Sequence, residues 1–430
     1  MIARRARLAL CLSAFAWLAC DDAVDPSKIS APRFAASDDS RHTVVVNPNA
    51  DGNGVVATIQ EGVDMVGDGG VVKVVPGTYN ERIVIAKGLI LEPIGGGEGS
   101  VVIEYVRDGP APNGLEAVIT VATPQPVTIR DVTVEFQHLR GLNVLFTAAD
   151  LTIENVSFQG RWPSAPPIIN NGVSVATNAA QSGGRVRLAV RDSRFAVDGN
   201  AISLGGDVDA LIERNEFRHA ASNAGCVFVS PTGQGVTVPA GARTNVDILH
   251  NAFDDCGANV PSKLAAAVSV FGSLGATTTG TVNIVGNSIR TNPRTSASCN
   301  TAGISYEFYS GVIERNSLVD VVHDCATATT RSLPGGIFIG SRAAIRAANV
   351  SVRFNDIAGN AHAGLRIGSN QTTTFDATCN WWGDASGPSG VGPGTGDAIV
   401  VEAGAAPPIF TPFATGPIAA TSQLNCAGGM

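Results

Sequence analysis

The chain has 430 residues, a formal net charge of −8, only 15% charged residues and 49 glycines. An acidic balance without a basic stripe argues against a nucleic-acid partner, and no stretch is apolar for long enough to remain in a membrane as a helix. Length alone suggests two or three domains, but one repeat running through the chain argues for a single long domain.

Residues 1–19 have the make-up of an export signal, with Arg4, Arg5 and Arg7 ahead of an apolar stretch at 8–18 and small residues beyond it. Their removal takes three positive charges and lowers the net charge to −11. The run WLAC at 17–20 resembles a bacterial lipobox, which implies that Cys20 becomes an acylated first residue and that a lipid is the only membrane attachment. Trp17 stands where that family carries Leu, and simple cleavage at Ala16 or Ala19 is the alternative. Residues 20–42, polar and broken by Pro26 and Pro32, read as a flexible tether.

The repeating domain is expected over 43–413. Near its start, Ile59, Val63 and Val66 fall at helical spacing. They predict a short helix that covers the open strand edges of the first repeat. The run PGTY at 76–79 follows, and Tyr79 and Glu81 are read as structural.

Two phrases then alternate. One is an apolar run ending in Asn or Asp plus an anchor, as in VTIRDVTV (127–134), LTIENVSF (151–158), ALIERNEF (210–217), VDILHNAF (246–253) and VNIVGNSI (282–289). The other is a small residue followed by alternating apolar positions, as in GLNVLF (141–146), GVSVAT (172–177), GCVFVS (225–230) and GLRIGS (364–369). Alternation over four to eight residues with Val, Ile and Phe enrichment predicts half-buried strands. Pairing each strand with its counterpart in the next repeat gives parallel sheets around a continuous interior. The repeated Asn then stacks in a column at a turn.

This pattern resembles the right-handed parallel β-helix family of pectin lyase-like proteins, which implies an all-β fold and a place among polysaccharide-acting and repeat proteins. The opening stretch is similar to that of pectin methylesterases, yet the Gln, Asp and Arg motifs of those enzymes are missing, as are the polygalacturonase and pectate lyase motifs. The closing run NWWGDASGPSGVGPGTGDAIVV (380–401) resembles the end segment of many bacterial and archaeal β-helix repeat proteins, with Trp381 and Trp382 closing the apolar interior. Asp384 and Asp397 in that Gly-rich run are candidate ligands for Ca²⁺, although their spacing matches no defined calcium loop. Residues 414–430 form a tail.

Beyond the signal region the cysteines are Cys226, Cys256, Cys299, Cys325, Cys379 and Cys426, an even number that suits an oxidising compartment. Positions one repeat apart lie about 4.8 Å above one another. That spacing favours the pairs Cys226–Cys256 and Cys299–Cys325, with Cys379–Cys426 tying the tail. The absence of CxxC pairs argues against zinc.

A packed interior leaves chemistry to outer faces and turns. Polar residues recur after the anchor: Asp198, His219, Asp254, Asp255, Arg290, Asn292, Asp320, His323, Asp324 and His362. Asp254, Asp255, His323 and Asp324 are the candidate acids and bases, with Arg290 as a carboxylate clamp. In SYEFYS (305–310), alternation points Ser305, Glu307 and Tyr309 one way and Tyr306 and Phe308 the other, so Glu307 and Tyr309 are candidate sugar contacts. The reading is an exported, lipid-anchored protein that binds polysaccharide, with lyase or glycoside hydrolase activity as its catalytic form. The alternative is a non-catalytic adhesion or scaffold protein, and the sequence leaves the oligomeric state open.

Overall fold

The computed structural model describes residues 41–50, 55–95, 99–107, 116–145, 148–160, 172–176, 184–197, 199–218, 225–231, 241–256, 265–272, 278–291, 301–321, 335–340, 347–418 and 426. Over these residues the chain winds as a right-handed parallel β-helix whose strands fall into three sheets, named here A, B and C in the order each turn visits them. Sheets A and C have 12 described strands each and sheet B has 10. Every strand pair among the described residues is parallel, because each turn adds one strand to each sheet in the same direction.

Three strands per turn is one more than the two phrases suggest. The first phrase contains two strands: VTIRDVTV splits into Pro126–Arg130 of sheet A and Thr133–Gln137 of sheet B. Between them Asp131 adopts a left-handed conformation, and so do Asn155, Asp192, Arg214, His250, Gly286, Arg315, Phe354 and Cys379 at the same corner of later turns, with φ between 50° and 69°. One such residue turns the chain without interrupting the outward and inward alternation on either side.

The next residue along forms the column that the sequence predicts, from Asn215 through Asn251, Asn287, Asn316 and Asn355 to Asn380. Each side chain in it is buried. Asn287 is typical. Its Oδ1 accepts from the backbone N–H of Asn251 at 2.8 Å and from the Asn251 side-chain amide at 3.0 Å. Its Nδ2 donates to the Ile248 carbonyl at 2.9 Å and to Asn316 Oδ1 at 3.0 Å. A corner that breaks the strand ladder leaves backbone groups without partners, and the amide, both donor and acceptor, supplies them.

The column begins later than the repeated phrase implies. Asp131, Asn155 and Asp192 occupy the left-handed position one residue earlier, and the column position in those turns holds Val132, Val156 and Ser193. Asn155 instead donates to Asp131 Oδ1 at 2.7 Å. Adjacent Asn or Asp positions look alike in sequence but face opposite ways across the corner.

Inside, side chains stack on their own kind. Phe158, Phe195, Phe217 and Phe253 form a parallel pile with ring centroids 4.6–5.0 Å apart, and Ile289, Leu318 and Ile357 continue it in register. Outside, sheet A carries a column of alternating charge, Lys73, Glu92, Arg130, Glu154, Arg191 and Glu213 on successive strands. Arg130 Nε reaches Glu92 at 2.7 Å, and Arg191 reaches Glu213 at 3.5 Å. Such half-exposed pairs add less than about 1 kcal/mol each.

At the first turn, the helix Ile59–Met65 starts from a Thr58–Glu61 capping box and buries Ile59, Gly62 and Val63. The Gln60 amide meets both Val84 backbone groups, Oε1 at 2.7 Å and Nε2 at 3.3 Å, so a side chain takes the place of a neighbouring strand on Ile83–Ile85, the first strand of sheet C. Glu81 accepts from the Ile59 and Gln60 N–H groups, and the Tyr79 hydroxyl donates to the Val75 carbonyl at 2.8 Å. Burial, then the nearby Glu81, push the Tyr79 phenol up to about 12.

Two of the three expected disulfides are present, Cys226–Cys256 and Cys379–Cys426, with Cα atoms 5.7 and 5.2 Å apart. The first does not stack equivalent positions. It joins Cys226 in the sheet C strand Gly225–Ser230 to Cys256, just past the sheet B strand Ala252–Asp254 of the following turn. Cys299 and Cys325 lie outside the described residues.

Replacing Asn287 with Ala orphans several buried groups at about 1–3 kcal/mol each, so a loss of at least about 3 kcal/mol is expected in urea unfolding. Asn155→Ala, at the half-buried left-handed corner, is expected to lose only about 1–2 kcal/mol from the backbone conformation; equal losses would refute the buried column as the stabilising feature.

Candidate functional site

The three outer faces differ. That of sheet A is occupied by cross-strand ion pairs, and that of sheet B is formed by short strands whose outward side chains meet water. Several middle strands of sheet C are buried on both sides: Ala117–Val121, Ile202–Gly205 and Leu365–Ile367 show no exposed or half-exposed position, whereas Val84 on its first strand is exposed.

Register identifies what points outward there. From Thr120 the column runs through Asn143, Ser174, Ser203 and Phe228 to Ser269, Ser305, Phe338 and Arg366. Asn143, Ser174, Ser203, Ser269 and Ser305 are at most 4% exposed. Polar groups withdrawn from water are costly unless hydrogen-bonded. Near one end, Arg140 Nη1 donates to Ser174 Oγ at 2.6 Å and to Asn143 Oδ1 at 3.2 Å. Burial pulls the Arg140 guanidinium down to about 10, which leaves it charged at neutral pH. At the other end Arg366 Nε donates to Glu402 Oε1 at 3.1 Å, both side chains nearly buried.

From residue 126 onward, chain length varies beside this sheet. From residue 126 onward the A-to-B corner is short and regular, whereas the stretches 161–171, 219–224, 257–264, 292–300 and 322–334 separate B from C, and 177–183, 232–240, 273–277 and 341–346 separate C from A. All of these lie outside the described residues.

The sequence candidates fall on both sides of sheet C. Asp254 ends a sheet B strand and pairs with Arg290 of the next turn at 3.3 Å, with both side chains well exposed. Asp255 is left-handed, with φ 60°, and its N–H donates to the Arg290 carbonyl at 3.0 Å. These three therefore come together before the chain enters sheet C. His323 and Asp324 lie outside the described residues, as do Asp198, His219, Asn292 and Cys20.

Glu307 follows Thr301–Tyr306 at the far end of sheet C. It is 3% exposed and its Oε2 accepts from the Gly272 N–H at 3.1 Å. Ser305 shares that outer face, but Tyr309 does not. The alternation expected through SYEFYS breaks at Phe308, which is left-handed with φ 71°. Tyr309 is consequently turned into the core, fully buried, its hydroxyl donating to Thr244 Oγ1 at 3.3 Å. Tyr306 also faces inward and donates to the Val282 and Ser310 carbonyls, and burial raises its hydroxyl well above the usual range.

Asp384 and Asp397 serve separate turns. Asp384 Oδ1 accepts from the Ser386 N–H and hydroxyl, which hold its carboxyl below the usual range. Asp397 accepts from Gly359 and Asn360, and burial raises its carboxyl. Among the described residues no group of three or more His, Cys, Asp or Glu is placed to hold a metal ion.

No family model matches the chain, and no curated protein matches its sequence. Among solved structures, it is similar to the A-module of a mannuronan C-5 epimerase of Azotobacter vinelandii at 13% identity and a TM-score of 0.42, over 80% of this chain and 91% of that one. It is likewise similar to the pectin methylesterase of Aspergillus niger at 12% identity and a TM-score of 0.36, over 73% and 88%. The chemistry those names state belongs to those proteins.

Arg140 and the outward hydroxyl column escape a search for catalytic residue types. A signal existed: the third letter of GLNVLF and GVSVAT, and of AISLGG (201–206), is polar within an otherwise apolar phrase. Because Tyr309 belongs to the core, Tyr309→Phe is expected to cost about 1 kcal/mol in thermal unfolding while leaving the affinity for any bound glycan unchanged; an altered affinity would return Tyr309 to the site.

Proposed function

We propose that the protein is exported, held at a membrane by lipid on Cys20, and binds a polysaccharide along the outer face of sheet C. The observation that carries the binding reading is the column of hydroxyl and amide side chains that repeats from turn to turn on that face. Its members recur at the strand spacing of about 4.8 Å, so a polymer of repeating units meets a surface that repeats. Polar contacts made out of water are stronger and more selective than the same contacts on an open face.

Export rests on the charged and apolar parts of residues 1–19, and the two disulfides suit the oxidising compartment beyond. Cleavage as a lyase or glycoside hydrolase would add an acid and a base. Asp254 and Asp255 at one edge of sheet C and Glu307 at the other are among the carboxylates that lie beside it.

The test is calorimetric titration of the purified chain with neutral and uronate-containing polysaccharides, with assays for new reducing ends and unsaturated products. Binding of at least one polymer is expected, weakened about tenfold or more by the double substitution Ser203→Val and Ser269→Val at unchanged unfolding midpoint. Binding without products assigns a recognition role; failure to bind any polymer leaves the non-catalytic scaffold. For the anchor, Cys20→Ser is expected to move the protein from the membrane to the soluble fraction, and an unchanged distribution would remove the lipid.

A further inference from the structure

The last turn of the coil is closed by the strand Gly396–Val401, which pairs with Leu365–Ile367 in sheet C. Asp397 on that strand reaches back to the corner between Asp356–Ala358 of sheet B and Leu365–Ile367. Its Oδ1 accepts from the Gly359 N–H at 3.2 Å, and its Oδ2 accepts from the Asn360 N–H and the Asn360 side-chain amide, both at 2.9 Å. Asn360 in turn donates to the Leu318 carbonyl at 2.9 Å and accepts from the Val321 N–H at 3.2 Å. One carboxyl group therefore ties the closing strand to the two turns behind it.

A second carboxyl group stands against the same glycine. Asp320 Oδ1 lies 2.5 Å from where a Cβ on Gly359 would be, and Gly359 is left-handed with φ 69°, so a side chain there would meet both a clash and backbone strain. Burial is the main cause that raises the Asp397 carboxyl, and the charge of Asp320 adds to it, against three N–H bonds that favour the ionised form. The other titratable groups on the elements packed around Asp397 are engaged elsewhere or lie in water. Asp356 accepts from the Ile418 N–H, Asp384 from Ser386 and Glu402 from Arg366, while His362 is exposed.

We propose that Asp397 and Asp320 form an acid-tightened latch on the closing strand: uptake of one proton by the pair holds the last turn more firmly, and release of that proton loosens it. Ionised, Asp397 keeps its hydrogen bonds but sits partly out of water beside a like charge. Protonated, a carboxyl group still accepts hydrogen bonds and the repulsion is gone. A carboxyl group raised on folding contributes stability that is fully present below its unfolded value of about 3.9 and is lost as pH rises through the folded one. Protection of this corner is therefore greatest in mild acid and falls toward neutral pH. Carboxyl groups held low, such as Asp192 and Asp384, weaken the whole molecule in stronger acid, so the latch is read from local opening.

The experiment follows hydrogen exchange of the purified full chain by mass spectrometry at about pH 5 and about pH 7, corrected for the intrinsic pH dependence of exchange. The reporters are peptides within 355–368, which contain the Gly359 and Asn360 N–H groups and that of Gly364, bonded to the Ala398 carbonyl at 2.9 Å. The native chain is expected to be more protected there at the lower pH. Asp320→Asn, at an exposed left-handed position that Asn adopts readily, is expected to raise protection at the higher pH about threefold and to flatten the pH dependence. Asp397→Asn is expected to lose protection at both pH values and the pH dependence with it. Native protection that is equal at the two pH values, or greater at the higher one, overturns the latch. So does a pH dependence that Asp320→Asn leaves unchanged, a result that decides the matter even where Asp397→Asn does not fold.

Discussion

A parallel coil of this kind depends on closing the corner between sheets A and B, where the strand ladder stops and backbone groups would be left dry and unpaired. One left-handed residue bends the chain, and the amide after it bonds to the turn behind and the turn ahead. Because the side chain accepts and donates at once, each Asn needs another Asn at the same place in the next turn. The column is therefore cooperative along the axis, and it locks the rise and register of every turn it joins. The Phe pile behind it and the alternating charges in front of it are possible only because register does not drift.

That lock explains where variation is found. A corner whose hydrogen bonds require two residues cannot accept insertions without breaking the column on both sides. Sheet C has no such constraint at either end, and all the longer connections from residue 126 onward flank it. Polar side chains can persist buried on its outer face because the site is withdrawn from water and they bond to one another, as Arg140, Asn143 and Ser174 do. Rigidity at one corner thus leaves the opposite sheet free to carry recognition.

Much of the architecture was legible because a repeat states the same constraint many times. Period-two alternation named the strands, the recurring Asn named the column, and two of the three expected cysteine pairings are present. The errors were local. One phrase hid two strands, because a single left-handed residue leaves the hydrophobic pattern unbroken. Asn155 was counted with the column because chemistry alone does not separate adjacent positions. Cys226 and Cys256 pair across a corner and not within a stack.

The site was less legible for a physical reason. Charged residues after the anchor positions attract attention in a sequence, yet Asp254 and Arg290 neutralise one another in water, and Tyr309 is drawn inward by one backbone dihedral at Phe308. By itself the sequence determined the rung, its parallel stacking and its apolar interior, since each follows from local periodicity repeated along the chain. Only the tertiary structure decided that most outward positions in the middle of sheet C are buried and that Tyr309 faces the core. Burial there depends on stretches far apart in the chain, and no local pattern records it.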